Sequence, residues 1–369
     1  MSISRRDLIK LGGAAAAGMV VAGAPTRMAS AEKQKAAAPI SLSGNENPYG
    51  PSAEVRQALH DAVDTANRYG YSRQKELVRQ IAAKEGVTPE HIVLGAGSTE
   101  VINASILAFA GSDGQVITVD QGYSAIPSFT TGISAELILV PIGDDLRYDL
   151  DALHDRTTKD TGLVYVCNPN NPTGTVVDSG KLRDFCLSLP KETIVLADEA
   201  YLEFTDHFDR DSMVDLVKQD HNVVVTRTFS KIHGLAGMRI GYSIASPELS
   251  RQITAHKMCK FMGPLASVAA SISLDQTGFH NFCRGIAKQG RQLVFDLCDE
   301  LGLEYADGTA NFIFLNPKMS NEEFKRRMLT RGIESARPFP PRLGWSRITM
   351  GTTEEMQAFA AVLPEVIAS

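Results

Sequence analysis

The chain is poor in the features that mark several large classes of protein. Its 369 residues include only five cysteines, an odd number. Cys167, Cys186, Cys259, Cys283 and Cys298 are widely spaced and mostly set among apolar neighbours, as buried free thiols would be, which argues against a disulfide framework and against a zinc site. Charge of neither sign dominates: 37 Lys and Arg against 43 Asp and Glu leave a formal net charge of -6. The basic residues are scattered rather than blocked, so the electrostatic footprint of a polyanion binder is missing and no nucleic-acid partner is expected. No apolar run is long enough for a permanent bilayer span; the Ala/Gly-rich stretch 11–24 is too short. Internal repeats and low-complexity tracts are missing from the part expected to fold.

What is present points to a globular protein of two packed lobes, because 369 residues with 43% hydrophobic and 22% charged side chains exceed one ordinary core. The N-terminus stands apart. Ser4-Arg5-Arg6-Asp7-Leu8-Ile9-Lys10 is followed by the short apolar run and then by the small residues Ala29-Ser30-Ala31. That is the three-part layout of a signal peptide, and the paired arginines resemble the twin-arginine class, with Leu8 where that class usually has Phe. The alternative is a tail with a chance arginine pair. Residues 1–31 are therefore set aside as an export segment, with a periplasmic location and no membrane association after its removal; the location is cytoplasmic if the signal is not used.

Beyond a polar linker, apolar runs at 91–94, 115–119, 162–167, 193–197 and 222–227 alternate with helical patterns, the signature of a mainly parallel α/β sheet covered on both faces. Ser98 is expected to cap a helix reaching Ala110, Asp178 one reaching Leu189, and Pro247 to open one toward Lys260. From Phe279 the texture changes to a long amphipathic helix ending near Leu301. Strands at 311–315 and 346–350 and helices from Ser320 and Thr353 follow, forming a smaller α+β lobe.

In such a sheet ligands sit beyond the carboxyl ends of the strands. Four polar segments leave those ends: Gly95-Ala96-Gly97-Ser98-Thr99-Glu100, Asn168-Pro169-Asn170-Asn171-Pro172-Thr173-Gly174, Asp198-Glu199-Ala200-Tyr201 and Thr228-Phe229-Ser230-Lys231. Each has a use if the ligand is a phosphorylated pyridine aldehyde. The Gly-rich turn before a helix can hold a phosphate on backbone N–H groups, though the same turn also serves as a plain connection. Arg239 can grip the phosphate in a bidentate fashion, with Thr228 and Ser230 adding hydroxyl donors. Lys231 can form an imine with the aldehyde. Asp198 can keep the ring nitrogen protonated, so that the ring serves as an electron sink. Tyr201 and Asn171 can hydrogen-bond the phenolic oxygen, and Tyr123 can stack on the ring. Singly, an Asp-Glu pair reads as an N-cap or surface acid and Tyr123 as a packing residue.

Asn-Pro-Asn-Asn-Pro-Thr-Gly, Asp-Glu-Ala-Tyr and Ser-Lys-x-x-Gly-Leu-Ala-Gly-x-Arg, in this order and spacing, resemble the fold-type I aminotransferases that use pyridoxal 5'-phosphate (PLP). Within them the chain looks like the histidinol-phosphate aminotransferase family. The likeness runs from Asn45-Glu46-Asn47-Pro48-Tyr49-Gly50 to Arg347-Ile348-Thr349-Met350-Gly351. It implies an N-terminal arm with part of the small domain at 32–64, a large PLP-binding domain at 65–275 and a small C-terminal domain at 276–369. It implies Lys231 as the Schiff-base lysine, Asp198 at the pyridine nitrogen, and Tyr201 and Asn171 at the phenolic oxygen. Ala96, Gly97, Ser98, Thr228, Ser230 and Arg239 would hold the phosphate, and Tyr123 would lie over the ring. The resemblance further implies a homodimer in which Tyr69 reaches the partner's cofactor phosphate, and a cis peptide at Asn171–Pro172. Arg347 matches the arginine for the substrate's anionic group, Arg337 sits near a second, and Asn47 and Tyr49 are grouped with them as substrate-binding.

Three departures fall where substrate is chosen: Gln121-Gly122-Tyr123 in place of Pro-Thr-Tyr, Gly70 in place of a proline after Tyr69, and the segment Arg337-Pro338-Phe339-Pro340-Pro341. The reaction expected is transfer of an amino group from a small-molecule donor, an amino acid or a histidinol-phosphate-like amine, to a 2-oxo acid. Two rivals use the same scaffold: decarboxylation of a phosphorylated amino acid, and a non-catalytic PLP-fold binding protein. Against the binder stands the complete set of Lys231, Asp198, Tyr201, Asn171 and Arg239. A PLP-dependent transcription regulator would need an appended DNA-binding module, and the length is already used.

Overall fold

In the computed structural model, residues 38–368 are described, and those from Pro39 onward form one compact unit. The segment 1–31 expected to direct export lies outside the described residues. The chain enters through a short strand, β1 (Ile40–Leu42), and two helices, Ala53–Ala62 and Tyr71–Glu85, before reaching the main sheet.

That sheet has seven strands: β2 (Ile92–Gly95), β3 (Gln115–Val119), β4 (Glu136–Val140), β5 (Thr161–Cys167), β6 (Ile194–Asp198), β7 (Val223–Thr228) and β8 (Gly241–Ile244). Across the sheet they run β2-β8-β7-β6-β5-β3-β4. Pairings from β7 to β4 are parallel, and β8 is antiparallel to both β2 and β7. The five expected strands are present, displaced by a residue at most. The pattern does not single out β4, a half-exposed edge strand, or β8, a short strand just past Arg239.

The apolar runs are continuous because both faces are covered, but strand geometry still sends alternate residues to opposite sides. Val164, Val166, Val195, Ala197, Val223 and Val225 feed one core, while Leu163, Tyr165, Cys167, Ile194, Leu196 and Val224 feed another. The parity continues into the polar residues at the strand ends. Asp198 and Thr226 hydrogen-bond each other on the Tyr165 side, whereas Glu199 and Arg227 pair on the opposite side.

Strands β2, β3, β5, β6 and β7 share one direction, so the segments leaving their carboxyl ends gather along one edge. Strand β8 begins at that edge, two residues after Arg239. Two local expectations are corrected here. Ser98 is the first residue of the helix Ser98–Phe109, and Gly97 takes the capping position at φ 79°. Glu100 instead reaches back to the backbone N–H of Ala96 at 2.6 Å, which releases the Ser98 side chain toward the cavity described below. The helix opened by Pro247 stops at Ala255 rather than near Lys260; the backbone N–H of Cys259 is drawn to the Glu100 carboxylate, and Gly263-Pro264 starts the next helix. Asp178 caps Ser179–Ser188 as expected, accepting from the Lys181 N–H at 3.0 Å.

The 25-residue helix Thr277–Leu301 leads into the smaller α+β part. There β9 (Glu304–Tyr305), β10 (Phe312–Asn316) and β12 (Ser346–Thr349) form a sheet in the order β12-β10-β9, while β11 (Ile333–Ser335) pairs in parallel with β1. Leu42 of the arm shares a core with Val294, Ile313, Phe324, Ile348 and Phe359. The arm thus carries Gly44, Asn45 and Glu46 to the same edge of the main sheet that gathers the polar segments.

Candidate active site

The edge encloses a cavity of about 490 Å³. Lys231 enters it from the turn after β7, its Nζ 5.5 Å from the centroid of the Tyr201 ring and 3.4 Å from the Gly44 carbonyl oxygen. Burial lowers its pKa to about 8; Arg347 and Arg239 act in the same direction, against Glu46 and Asp198. A lysine in that state holds a usable fraction of free amine near neutrality.

Asp198 forms part of the floor. Its Oδ2 accepts from the Tyr165 hydroxyl at 2.7 Å. Its Oδ1 accepts from Thr226 Oγ1 at 3.0 Å and from the Ala200 N–H at 3.2 Å. Burial still pushes the carboxyl above its usual range, opposed by those donors and by the Lys231 ammonium. Such a group favours a cationic partner, and a protonated ring nitrogen would be one. Beside it, Tyr201 receives a hydrogen bond from Asn45 Nδ2 at 3.1 Å and one from Asn171 Nδ2 at 3.4 Å. The peptide Asn171–Pro172 is cis, as the resemblance implied.

At one end lie Ser98, Thr228, Ser230 and Arg239. Arg239 has φ 51°; its guanidinium donates to the Ala236 carbonyl at 2.8 Å and lies 3.4 Å from Ser230 Oγ. A Cβ at Gly97 would collide with that guanidinium, so glycine at 97 leaves room for a cation at the helix N-terminus. Cation, hydroxyls and helix start together suit a phosphate.

At the other end stand Arg347 and Arg337. Arg347 Nη1 donates to Asn171 Oδ1 at 2.6 Å and Nη2 to the Ser43 carbonyl at 2.7 Å, while its buried Nε has no partner among the described residues. Burial lowers its pKa to about 10, with Arg337 contributing. The Phe339 ring lies 4.7 Å from the Arg337 guanidinium carbon and 4.9 Å from that of Arg347, spacing the two cations.

Residues 37–363 match the family Aminotransferase class I and II. The chain belongs to that family. It is 34% identical over 332 residues to the histidinol-phosphate aminotransferase of Brevibacillus brevis, covering 89% of this chain and 90% of that one. It is 35% identical over 301 residues to the aromatic amino acid aminotransferase of Cutibacterium acnes, covering 80% and 84%. The crystal structure of histidinol-phosphate aminotransferase from Sinorhizobium meliloti in complex with pyridoxal-5'-phosphate superposes with a TM-score of 0.83 at 27% identity, covering 89% and 91%.

The fold is that of the fold-type I PLP enzymes, and the cofactor of this aminotransferase is PLP. The cavity suits it: a buried carboxylate and a lysine line it together with the hydroxyls and guanidinium of Ser98, Thr228, Ser230 and Arg239, which suit a phosphate, and with Arg347 and Arg337.

Not every expected residue lines the cavity. Ala96 and Gly97 lie behind Arg239, the Ala96 carbonyl 3.4 Å from its Nη2. Asn47 and Tyr49, expected to bind substrate, are placed elsewhere. Asn47 Nδ2 donates to the Ile232 carbonyl at 2.9 Å and contacts Cys283 Sγ at 3.2 Å; Tyr49 packs edge-on against Phe282 at 4.9 Å. Asn47 thereby braces the turn after Lys231, and Tyr49 packs on the long helix Thr277–Leu301. Tyr69 is 70% exposed, packed on Tyr71 and Phe261 at 5.7 and 5.9 Å.

Several lining residues of the aminotransferase were not expected: Gly44, Asn45, Glu46, Thr99, Ser124, Cys167, Ala200 and Phe339 among them. Asn45 and Glu46 stood inside the arm motif, and Thr99 in the Gly-rich turn, so a signal existed. Tyr165 and Thr226 had only strand parity to point to them: both share a face with Asp198, and Thr226 is its register partner on β7.

Proposed function

We propose that the cavity carries out transamination between an amino acid and a 2-oxo acid, with Lys231 as both the anchor of the cofactor aldehyde and the proton-transfer base. The observation that carries this reading is the placement of Lys231 Nζ, Asp198, Tyr201 and Arg347 around one cavity. PLP, when bound, supplies an electrophilic aldehyde and a pyridine ring that accepts electron density. Asp198 would hold a proton on the ring nitrogen. Tyr201 and Asn171 would hydrogen-bond the phenolic oxygen, and Tyr123 would cover one ring face. Ser98, Thr228, Ser230 and Arg239 would hold the phosphate, with the backbone at Ala96 and Gly97 behind them. Arg347 orients the substrate by its anionic group, which places the α-carbon proton toward Lys231. Lys231 Nζ, largely neutral above pH 8 by its lowered pKa, would take that proton and deliver it to the carbon that the cofactor's aldehyde supplies.

The donor is read as an α-amino acid whose carboxylate meets Arg347, with Arg337 at the cavity mouth for a side chain or a second anion. A second reading places the phosphate of a histidinol-phosphate-like amine on the same arginines; the curated relative in Brevibacillus brevis favours it. A single-turnover absorbance scan against amino acids and histidinol phosphate tests both. Selective conversion of the bound cofactor to its amine form, with a keto product, names the donor class. Release of carbon dioxide instead, or no conversion by any donor, would overturn transamination here.

The homodimer is proposed on the exposed Tyr69 and Tyr71, which pack against the half-buried Phe261. Export through the twin-arginine route is proposed on residues 4–31 of the sequence alone. Cell fractionation of wild type against an Arg5→Lys, Arg6→Lys double variant tests it: periplasmic protein that is lost in the variant supports export, and cytoplasmic wild type sinks it.

A further inference from the structure

We infer that Tyr165 and Thr226 are positioning residues that keep Asp198 ionised and fix its orientation toward the cofactor's ring nitrogen, Tyr165 contributing more. This rests on the reading of Asp198 given above. Neither residue lines the cavity, so each acts only through the carboxylate. The two come from the strands flanking β6: Tyr165 on β5 and Thr226 on β7. Each Asp198 oxygen has its own hydroxyl donor, Tyr165 on Oδ2 at 2.7 Å and Thr226 on Oδ1 at 3.0 Å. With both oxygens held from opposite sides, the carboxylate plane cannot turn without losing a hydrogen bond.

The kind of donor matters as much as the geometry. The three hydrogen bonds to the Asp198 carboxylate come from neutral groups. Neutral donors stabilise the ionised form of a buried acid without cancelling its charge, whereas an arginine in their place would satisfy it and leave little field for a ligand. Glu199, one residue on, shows the contrast: Arg227 lies 2.9 Å from it, and its charge is spent inside the protein. The Tyr165 ring packs in the apolar core of Leu163, Leu196 and Val224. Packing therefore accounts for the ring, and its hydroxyl has Asp198 as partner. Burial and the neighbouring Asp198 hold that hydroxyl protonated. The other titratable groups facing Asp198 are Cys167, Lys231, Tyr123, Tyr148 and Tyr201.

The test uses holoenzyme loaded with PLP carrying 15N in the ring, and follows the ring-nitrogen resonance against pH beside kcat and KM. In Tyr165→Phe the midpoint for loss of the ring-nitrogen proton should fall by about one pH unit or more, and kcat by roughly 10- to 100-fold with KM within about twofold. Thr226→Val should move both in the same direction by less. Tyr148→Phe removes an equally buried hydroxyl, one that serves the Cys167 N–H at 3.1 Å, and should leave the midpoint in place. An unmoved midpoint in folded, loaded Tyr165→Phe overturns the inference; if that variant fails to fold, an unmoved midpoint in Thr226→Val does so. Asp198→Asn separates the two levels. If that variant keeps the wild-type ring-nitrogen protonation, the reading of Asp198 falls and this inference with it. If Asp198→Asn responds while Tyr165→Phe and Thr226→Val do not, the inference alone falls.

Discussion

The Arg347 guanidinium donates to Asn171 Oδ1 at 2.6 Å, and Asn171 donates in turn to the Tyr201 hydroxyl at 3.4 Å. The proposed substrate-binding arginine is thereby fastened to two residues proposed to hold the cofactor's phenolic oxygen. On this reading, anion binding at Arg347 would be coupled to the orientation of Asn171. Arg347→Lys retains the charge but loses the planar fork. We expect KM for the amino donor to rise roughly 10- to 100-fold, consistent with loss of a charge-assisted bidentate contact. PLP affinity, measured by fluorescence titration, should change far less. A variant with unchanged KM would remove Arg347 from the substrate site.

Lys231→Ala should leave a folded protein without turnover. The decisive measurement is intact mass after borohydride reduction of the holoprotein. Wild type should gain the reduced cofactor on the peptide containing Lys231, and the variant should gain nothing. Modification of Lys257 or Lys260 instead would move the anchor elsewhere.

Much of this was legible in the sequence because the chemistry sits at strand ends, where a run of apolar residues stops on a polar one. Asp198, Thr228 and Asn171 could be placed from their own segments with no knowledge of the tertiary fold. The arm was harder. Asn45 reaches Tyr201 across 156 positions of sequence, and no local pattern says which of Asn45, Glu46 and Asn47 turns inward. Asn47 was expected at the substrate and instead braces the Ile232 carbonyl. Strand β8 was missed for a related reason: its four residues follow the Arg239 turn and carry little periodic signal, yet they set the position of Arg239 by pairing with β7.

Uptake of PLP by cofactor-free protein should depend on pH through Lys231. In the proposed role the free amine attacks the aldehyde, and burial lowers the pKa of Lys231 to about 8 from 10.5. The rate should rise with pH around a midpoint near 8, not near 10.5. The linkage has the opposite sign to that of a salt-bridged lysine. Because the folded pKa is depressed, the unfolded chain binds the extra proton between the two values, so this group's penalty on folding is full below about 8 and fades as pH climbs toward 10.5. Arg347→Gln, which removes a positive neighbour, should shift the uptake midpoint upward. Stopped-flow absorbance reads both, and a midpoint that stays put in the variant would refute the electrostatic coupling.

Tyr69 offers a check on assembly. Tyr69 is 70% exposed, and its ring packs on Tyr71 and Phe261. For the proposed homodimer in which Tyr69 reaches the partner's cofactor phosphate, Tyr69→Asp should shift sedimentation toward the monomer and weaken PLP retention on dialysis, whereas Tyr69→Phe should leave sedimentation unchanged and weaken only PLP retention. A monomeric wild type would end the shared-site proposal.

Adjacent residues 198 and 199 are both buried acids, yet strand parity gives them opposite surroundings. Arg227 Nη1 lies 2.6 Å from Glu85 Oε1, its Nη2 lies 2.9 Å from Glu199 Oε2, and its guanidinium sits 4.4 Å over the Phe208 ring. Removing the cation leaves two buried carboxylates facing each other, so Arg227→Met should cost about 3–5 kcal/mol of stability, the range for a broken buried pair. Chemical denaturation measures it. Adding Glu85→Gln and Glu199→Gln removes both stranded charges and should recover most of the loss, since a buried ion pair contributes little net stability over neutral packing. The folded fraction of Arg227→Met should turn over at close to the wild-type rate, because Glu199 faces away from the cavity. A large fall in kcat per folded molecule would instead tie Glu199 and Arg227 to the chemistry.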